Sequence, residues 1–553
     1  CRRLDGLPLA IELAAARVRA FSPAELLARL DDRFALLADG APAGGRYLTL
    51  EAAIRWSYDL LEEPERIVLE RCSVFPSEFD YDVAARIFAF APLEKGDLAR
   101  LFPRLLDRSL LSATRRGEST TYRLLDSVHE FARLRLAERG EREAMRERHA
   151  RHHIERAVAA VPDLQGRDQA AALMWFEERW PDLRAAMRWA FERDDTELAW
   201  RLLAGVGTGW DILGVRGELF DWLGVLLQGP LPAGEPRARA AITAVLLLTY
   251  EDAERAIAIA EDAARHAGDA ADAALASLAL GWALRFAGRP QPAVVHLERA
   301  AQEFRALGDD WHAVLSLDLL GMALEDGVGD GMPSLEQAAD SFGRLGDQVK
   351  RGNVLLHMAG GAIDTGFRLA DAQGWLDEGH RLAVLTANQQ ELLHAEMFQA
   401  RLDQRRGDEA ATGPAFTSLI PRFRRIGDRR CVVRCLLGAG RAAAANDDGE
   451  TARRHLTECV ELGVGMGNPL DVATALRLLA RLDAGAGVTH RAAVLLGAAD
   501  AVAATLDAAR LSRLPADGDL RSTLETELGR ETFLAAVGQG RRTPAADAVN
   551  LRS

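Results

Sequence analysis

A repeat of about 40 residues, spanning positions 236–506, restricts the fold more than any other feature of this sequence. Gly favours the left-handed backbone that ends a helix, and Asp or Asn caps the start of the next helix. Such dipeptides recur at spacings of 40, 38, 41, 40 and 40 residues: Gly268-Asp269, Gly308-Asp309, Gly346-Asp347, Ala387-Asn388, Gly427-Asp428 and Gly467-Asn468. They predict six helical hairpins that begin at regular intervals.

Small residues recur at two fixed places in these hairpins, which indicates close helix–helix approach. Twelve residues after each capping residue the sequence has Gly281, Gly321, Ala359, Ala400, Gly440 and Ala480. Eight residues before the turn it has Ala260, Ala300, Ala338, Gly379 and Cys459, with Leu419 as the exception. A hairpin of this kind cannot bury its apolar face alone, so stacking into an α-solenoid is predicted. The repeat length leaves HEAT-like and long tetratricopeptide-like (TPR-like) hairpins as alternatives.

Charge and cysteine content exclude some classes of protein. The formal net charge is −14, which argues against nucleic acid as a partner of the whole chain. No apolar run is long enough to cross a membrane, and no signal peptide opens the sequence. The five cysteines are odd in number and scattered, which favours a reducing cytoplasm. Cys431 and Cys435 are expected to be two buried thiols, with a metal or redox pair as the alternative.

Three segments in the first 140 residues, taken in their order along the chain, carry a family resemblance. They read RLDGLPLAIELAA at 3–15, TLEAAIRWSYDLL at 49–61 and YRLLDSVHEFA at 122–132. This order resembles that of the NB-ARC/STAND ATPases, and in particular a bacterial class of large transcriptional regulators. The segment DLRAA at 182–186, followed by Trp189, extends the resemblance more loosely into the repeats.

The resemblance implies a mostly all-α chain in which a winged-helix domain precedes the TPR-like α-solenoid. The implied boundaries are 1–45 for the end of the nucleotide domain, 46–139 for the winged helix, 140–192 for a helical connector, 193–509 for the solenoid, and 510–553 for a C-terminal cap helix and a loose tail. Because residue 1 is Cys and not Met, we expect the chain to be part of a longer product.

Nucleotide binding is implied only with a domain that the sequence does not contain. Gly6 and Pro8 belong to the GLPLA motif, whose proline packs on the nucleotide base in the family. A P-loop needs Lys in the pattern G-x-x-x-x-G-K-[ST], and neither Lys95 nor Lys350 has that context. We therefore expect no cofactor and no enzyme activity in this chain alone, while ATP or ADP is implied for full-length relatives.

The region around 46–139 has the order of elements of a winged helix. Helices are predicted near Thr49–Leu60, Glu65–Cys72, Asp82–Phe90, Asp97–Asp107 and Ser127–Arg139, with strands at Ser109–Thr114 and Thr120–Leu125. In many NB-ARC proteins a His in this region faces the bound diphosphate; here Leu125 takes its position and His129 follows one turn later.

Two groups of polar residues in this half of the sequence raise the alternatives of DNA binding and metal binding. Arg100, Arg104 and Arg108 share a helix face, but acidic and basic residues nearly balance in residues 1–139, so direct DNA binding is not expected. His149 and His153 share a face at a spacing that suits a metal. No neighbouring carboxylate motif such as H-E-x-x-H accompanies them, so we predict a solvated helix and no metal site.

The function implied by the resemblance is the regulatory and sensor part of a STAND-type transcriptional regulator, compatible with oligomerisation on activation. In it the solenoid binds an effector or a protein partner, and the winged helix couples binding to a nucleotide switch. The alternative is a free-standing TPR-like scaffold without switching. Exposed large side chains on the first helices, which usually line the concave side, are the candidate anchors: Trp282, Arg285, Trp311, His312, His357, Arg401 and Arg441. Trp282 and Trp311 have a second interpretation, as fillers of gaps between repeats.

Overall fold

The computed structural model describes residues 50–94, 96–116, 119–207, 209–213, 216–232, 236–249, 252–466, 468–506 and 508–551. The predictions for residues 1–45, including Gly6 and Pro8, lie outside these ranges, as does the turn residue Gly467. The chain divides into two compact units, Cys1–Ala159 with Met174–Ala199, and Ala160–Leu173 with Trp200–Ser553. Within the described ranges, no helix combines the length and the apolar composition needed to cross a membrane.

The first unit is built from helices and a small antiparallel sheet. Its helices are Leu50–Asp59, Glu63–Cys72, Tyr81–Phe88, Asp97–Asp107, Asp126–Glu138, and most of Arg142–Leu164 and Gln169–Glu192. Its strands are Phe79–Asp80, Ser112–Arg116 and Ser119–Arg123, with the last strand in the centre of the sheet. The predicted helices and the predicted hairpin occur in the expected order. The strand Phe79–Asp80 was missed, because two residues give no alternation that a sequence pattern can reveal.

Aromatic side chains form the centre of this unit. The rings of Phe75 and Phe79 stack at 4.2 Å, and Phe102 meets Tyr122 edge-on at 4.9 Å. Tyr122 lies opposite Phe79 in the sheet, so the short strand joins the hairpin to the aromatic core. Arg104, from the predicted arginine face, lies 3.3 Å from the carboxylates of both Glu62 and Glu65.

The second unit is a stack of helical hairpins, which confirms the predicted α-solenoid. Its leading helices are Thr196–Gly207, Trp210–Leu213, Arg216–Leu226, Pro236–Leu248 and Ala253–Arg265. We number the six hairpins that follow as repeats 1–6, each with a first and a second helix: Ala270–Phe286 and Pro290–Leu307, Asp310–Ala323 and Met332–Leu345, Gln348–Thr365 and Ala372–Leu385, Gln389–Arg406 and Gly413–Arg425, Arg429–Ala445 and Gly449–Gly465, Pro469–Gly485 and Thr489–Ala503. A π-helical turn, Leu324–Val328, extends the first helix of repeat 2, and a 3-10 turn, Glu409–Thr412, precedes the second helix of repeat 4.

The predicted turn chemistry is present at five of the six repeat boundaries. The side chain of the capping residue accepts a hydrogen bond from the backbone N–H three residues later at Asp269, Asp309, Asp347, Asn388 and Asp428. Asn468 differs, because its side-chain amide donates to Asp471 at 2.6 Å instead. The preceding residue is left-handed at Gly308, Gly346, Gly427 and also Ala387. Helix termination and helix capping therefore set the period of the solenoid.

The small residues mark the places where helices approach most closely, as predicted. A Cβ atom on Gly281 would lie 2.6 Å from Cγ of Leu297, and one on Gly321 would lie 2.6 Å from Cγ of Leu335. Ala359 and Ala480 are fully buried at the equivalent positions. No larger side chain fits at these crossings unless the helices move apart.

The C-terminal end differs from the prediction of one cap helix and a loose tail. Gly529, in a backbone conformation with φ of 77°, separates the helices Gly518–Leu528 and Arg530–Arg542. The second of these packs on the second helix of repeat 6, where Gly497 and Gly540 each face a backbone carbonyl of the other helix without room for a Cβ. A last turn, Ala545–Ala548, is buried on the same side. The tail is therefore a packed cap of the solenoid.

Candidate functional site in the inner channel

A cavity runs along the first helices of repeats 1–5, and we call it the inner channel. Its main chamber has a volume of about 160 Å³, and an adjoining chamber has about 90 Å³. Both chambers are lined by Arg285, Phe286, Asp326, Asp364, Arg430, Arg434 and Arg513. The first helices reach the channel because their opposite faces pack on second helices, which leaves one face of each towards the interior of the stack.

One register position explains part of the polar lining. Asn353, His394 and Arg434 each lie six residues after the capping residue of their repeat, so they occupy equivalent places on three successive first helices. In repeats 1 and 2 the same position holds Leu275 and Leu315. The residue at this position therefore changes from apolar to polar between repeats 2 and 3.

Hydrogen bonds across the channel wall join successive repeats. Nδ1 of His357 lies 3.0 Å from Oδ1 of Asp318, which links repeats 2 and 3. The amide of Asn353 donates to Glu391 at 3.1 Å, which links repeats 3 and 4. Nε2 of His394 lies 3.2 Å from Oδ2 of Asp428, which links repeats 4 and 5. Polar side chains of the wall thus bond across three successive repeat boundaries.

His394 is the charged centre of this network. Burial opposes its protonation, but the carboxylates of Glu391 and Asp428 stabilise the imidazolium and raise the pKa of His394 well above its usual value. Burial likewise disfavours ionised Glu391, yet His394 holds the pKa of this carboxyl below its usual range. The two shifts agree in describing a buried imidazolium with a carboxylate on each ring nitrogen.

The segment after repeat 6 closes one side of the channel. Arg513 donates to the backbone carbonyl of Glu325 at 2.6 Å, and Arg510 donates to that of Asp326 at 2.9 Å. Nε of Arg285 lies 3.0 Å from the carboxylate of Asp326, next to both. A segment that follows the last repeat therefore contacts the π-helical turn of repeat 2 and narrows the opening.

Arg434 is the channel cation with the fewest fixed partners. Burial lowers its pKa, but the nearby carboxylates of Asp364 and Asp471 outweigh this and raise the pKa above its usual range. Neither carboxylate is bonded to it: among the described residues Arg434 makes no hydrogen bond and no ion pair within 4 Å. A guanidinium that is charged, partly buried and not bonded is suited to an anionic group entering the channel.

Five of the seven predicted anchors line the inner channel or its side opening. Trp282, Arg285 and His357 line the main chamber, and Arg401, ion-paired with Asp364, lines the adjoining one. Arg441 lies at a side opening and pairs with Glu409 at 2.7 Å. Their role in partner binding stays a prediction.

Trp311 and His312 do not line the channel. The indole N–H of Trp311 donates to Asp347 at 2.9 Å in the boundary between repeats 2 and 3, and the His312 ring stacks on Phe304 at 5.0 Å. Trp282 is also buried and donates to the hydroxyl of Thr249 at 2.9 Å. The expectation that the two tryptophans are exposed is wrong, because each fills the space between neighbouring helices and satisfies its N–H there.

Sequence reasoning missed the charged residues that matter most to the channel. The predicted anchors are large exposed side chains on the first helices, and His394, Arg434 and Asp364 are not among them. The polar residues six positions after the cap were the signal that could have revealed the first two. No local pattern could have placed Arg513, because its partner Glu325 lies 188 residues away in the sequence.

A second polar cluster lies in the first unit and corrects another expectation. His149 and His153 are each 2% exposed, so the predicted solvated face is wrong. Burial, reinforced by the neighbouring His149, lowers the pKa of His153 well below its usual value. A carboxylate is also present, since Asp182 from the next helix lies beside both rings. By contrast, Cys431 and Cys435 are buried thiols, as predicted.

Comparison with known proteins finds relatives that match only part of this chain. No protein-family model matches this chain. A "Putative HTH-type transcriptional regulator" of Mycobacterium bovis is 32% identical over 327 residues, which cover 56% of this chain and 36% of that protein. An "Uncharacterized protein" of the same organism is 44% identical over 155 residues, 28% of this chain and 39% of its own length. The chain thus spans little more than a third of the curated relatives it matches.

Two solved structures resemble the fold loosely. One is a STAND protein with a tetratricopeptide repeat sensor from Pyrococcus horikoshii, with 16% identity and a TM-score of 0.44, covering 89% of this chain and 71% of that chain. The other is a Rap protein complexed with the competence and sporulation factor, with 11% identity and a TM-score of 0.44, covering 65% and 96%.

Proposed function

We propose that this chain is the sensor portion of a transcriptional regulator and that the inner channel binds its effector. The observation that carries the proposal is the channel itself, with polar side chains bonded across successive first helices and with Arg434, which has no bonded partner among the described residues. The sequence relationship to proteins named as transcriptional regulators supports the regulatory part of the proposal.

The chemistry of the lining defines the class of effector. Phe286, Leu319 and Met397 are the apolar part of the channel lining, while His394 and Arg434 are its cationic part. A ligand that combines an apolar body with a carboxylate, such as a short peptide with a free C-terminus, matches both parts. We place its carboxylate on the guanidinium of Arg434, where an ion pair would replace solvent contacts.

The first unit is proposed to transmit binding, as the winged helix does in the STAND family that the sequence resembles. Within this proposal the nucleotide switch needs a P-loop from a domain that this sequence does not contain. Neither Lys95 nor Lys350 has the sequence context of a P-loop, so the chain alone does not hydrolyse ATP. The effector acts by favouring one conformation of the regulator over another.

A thermal-shift screen of small carboxylates and short peptides tests the proposal on the full chain. Compounds that raise the Tm of the wild type should have little effect on Arg434→Gln. They should retain their effect on Arg425→Gln, which makes the same change on an exposed face of a second helix. Binding energy from the ion pair predicts a loss of affinity of about 10-fold to 100-fold in Arg434→Gln.

The opposite outcome would relocate the site. Compounds that stabilise Arg434→Gln as strongly as the wild type would bind elsewhere than the proposed position. Protein partners that are captured by the wild type and lost only on changes to second helices would favour the scaffold alternative.

A further inference from the structure

The first unit contains three metal-ligating side chains within reach of one another. His149 and His153 lie one turn apart on the helix Arg142–Leu164, and Asp182 lies on the helix Gln169–Glu192. Nε2 of His149 is 2.9 Å from Oδ1 of Asp182, and Nε2 of His153 is 3.8 Å from the same oxygen. All three side chains are buried. Two imidazole nitrogens therefore converge on one carboxylate oxygen in the interior.

His153 is the unusual member of this group. Both of its ring nitrogens are buried, and neither has a hydrogen-bond partner among the described residues. Buried polar atoms almost always find a partner, and one without a partner destabilises the fold. A ring that is 2% exposed with two unsatisfied nitrogens, beside a histidine and an aspartate, indicates that something else satisfies it.

An aromatic ring and two hydrogen-bonded side chains surround the group. The ring of Phe75 meets His149 at 5.6 Å and His153 at 6.4 Å, both edge-on. The hydroxyl of Ser77 donates to Oδ2 of Asp182 at 3.3 Å, which leaves Oδ1 facing the histidines. The guanidinium of Arg179 is close enough to disfavour added positive charge, but it is bonded to the carbonyl of Glu78 and lies 3.3 Å from Asp80.

We propose that His149, His153 and Asp182 form a binding site for a divalent transition-metal ion of the zinc class, with Nε2, Nε2 and Oδ1 as the ligand atoms. Ligands at about 2.0–2.2 Å from a tetrahedral zinc lie roughly 3.3–3.5 Å apart. The observed separations of 2.9 and 3.8 Å bracket that distance, so small side-chain rotations bring both nitrogens into range. The hydrogen bond from Ser77 then orients the carboxylate, as outer ligands commonly do.

The donor set and the location define what the ion does. Two imidazoles and one carboxylate favour zinc, cobalt or nickel over magnesium or calcium, which prefer oxygen ligands. Three protein ligands leave one position for water. The ion joins two long helices and, through Asp182 and Ser77, the segment after the helix Glu63–Cys72. Metal binding therefore stabilises the first unit, independently of any effector in the inner channel.

A second group, His394, Asp428 and Cys431, also has three possible ligand atoms within 4.8 Å of one another and must be distinguished in any test. Its imidazole already has a carboxylate at each ring nitrogen, with Glu391 at 3.4 Å and Asp428 at 3.2 Å. A metal ion would have to displace this pairing. In the first unit a metal ion would have to break only the bond between His149 and Asp182, because His153 has no partner among the described residues.

Zinc titration of the metal-free full chain tests the site, with affinity measured against a competing chelator and Tm followed in parallel. The wild type should bind one zinc ion tightly and gain several degrees in Tm. His153→Leu should weaken zinc at least about 100-fold, since loss of an outer partner alone costs about 10–100-fold. The Tm of the metal-free variant should be unchanged or higher, because an unsatisfied ring has been removed.

Two matched variants make the result decisive. His152→Leu places the same substitution one residue away and should retain the zinc effect, and so should His394→Gln. Cobalt in place of zinc should give visible absorption without the thiolate charge-transfer band that Cys431 would produce. The proposal is overturned if the wild type binds no zinc, if His153→Leu binds it as well as the wild type, or if binding is lost in His394→Gln instead.

Discussion

Two histidines of this protein, His394 in the inner channel and His153 in the interior of the first unit, have pKa values shifted in opposite directions because of their neighbours. His394 has a carboxylate at each ring nitrogen, and its pKa lies well above the usual value. His153 has no hydrogen-bond partner among the described residues, and burial lowers its pKa well below the usual value. Burial alone favours the neutral ring, and only a pair of carboxylates overcomes it. One histidine is thus a fixed cation in a polar wall, and the other is a neutral donor suited to a metal.

The largest expected effect comes from removing one carboxylate from the charged histidine. Asp428→Asn keeps the helix cap but leaves the His394 imidazolium with Glu391 alone, and we expect a loss of about 3 kcal/mol in the free energy of unfolding. Asp182→Asn, in metal-free buffer, should cost less than about 1 kcal/mol, because the amide that replaces the carboxylate can still bond His149 and Ser77. Urea denaturation followed by circular dichroism measures both. Equal losses in the two variants would contradict the difference in charge state.

The second-largest expected effect comes from adding a Cβ atom to one of two adjacent glycines that line the inner channel. Gly360 and Gly361 are adjacent in the first helix of repeat 3, but a Cβ on Gly360 would lie 2.7 Å from the ring of Phe398, whereas one on Gly361 meets nothing closer than 3.5 Å. Gly360→Ala should therefore destabilise the solenoid by about 1–3 kcal/mol. Gly361→Ala should stabilise it by about 0.5–1 kcal/mol through helix propensity.

Thermal melts of the two alanine variants provide the measurement, and each variant is the control of the other. Because Asn353 bonds Glu391 across the same boundary, Gly360→Ala should also weaken the network around His394. A Tm for Gly360→Ala at or above that of Gly361→Ala would show that repeats 3 and 4 pack differently from the arrangement described above.

The smallest expected effect is a pair of opposite pH dependences. For His394, with a folded pKa above 6.5, the stabilisation is complete below pH 6.5 and is lost as the pH rises through the folded pKa. For His153, with a folded pKa below 6.5, the stabilisation is present above pH 6.5 and is lost as the pH falls through the folded pKa.

Denaturation across a pH series in metal-free buffer resolves the two contributions. His394→Gln should remove the loss of stability on the alkaline side, and His153→Leu should remove part of the loss on the acid side. If His394→Gln leaves the alkaline side unchanged, the histidine is not the buried cation described here.

Local chemistry made much of the solenoid predictable. The caps act on a backbone N–H three residues away, and the small residues recur at fixed places in each hairpin, so both signals lie within one repeat of sequence. Asn468 shows the limit, because a residue with the right chemistry bonds Asp471 and leaves the cap unused. Trp282 and Trp311 show a second limit of prediction, because a large side chain on a first helix can face either the channel or the neighbouring helix.

The sequence by itself determined the period, the hairpins, the close crossings and the order of elements in residues 50–139, because these depend on relations between near neighbours. Only the tertiary structure brought Asp182 to His149 across 33 residues, and Arg513 to Glu325 across 188. Such contacts depend on where whole helices come to lie, which no spacing along the chain encodes. The inner channel and the buried histidine pair both belong to this second kind, because each is formed by side chains that meet only after the helices have packed.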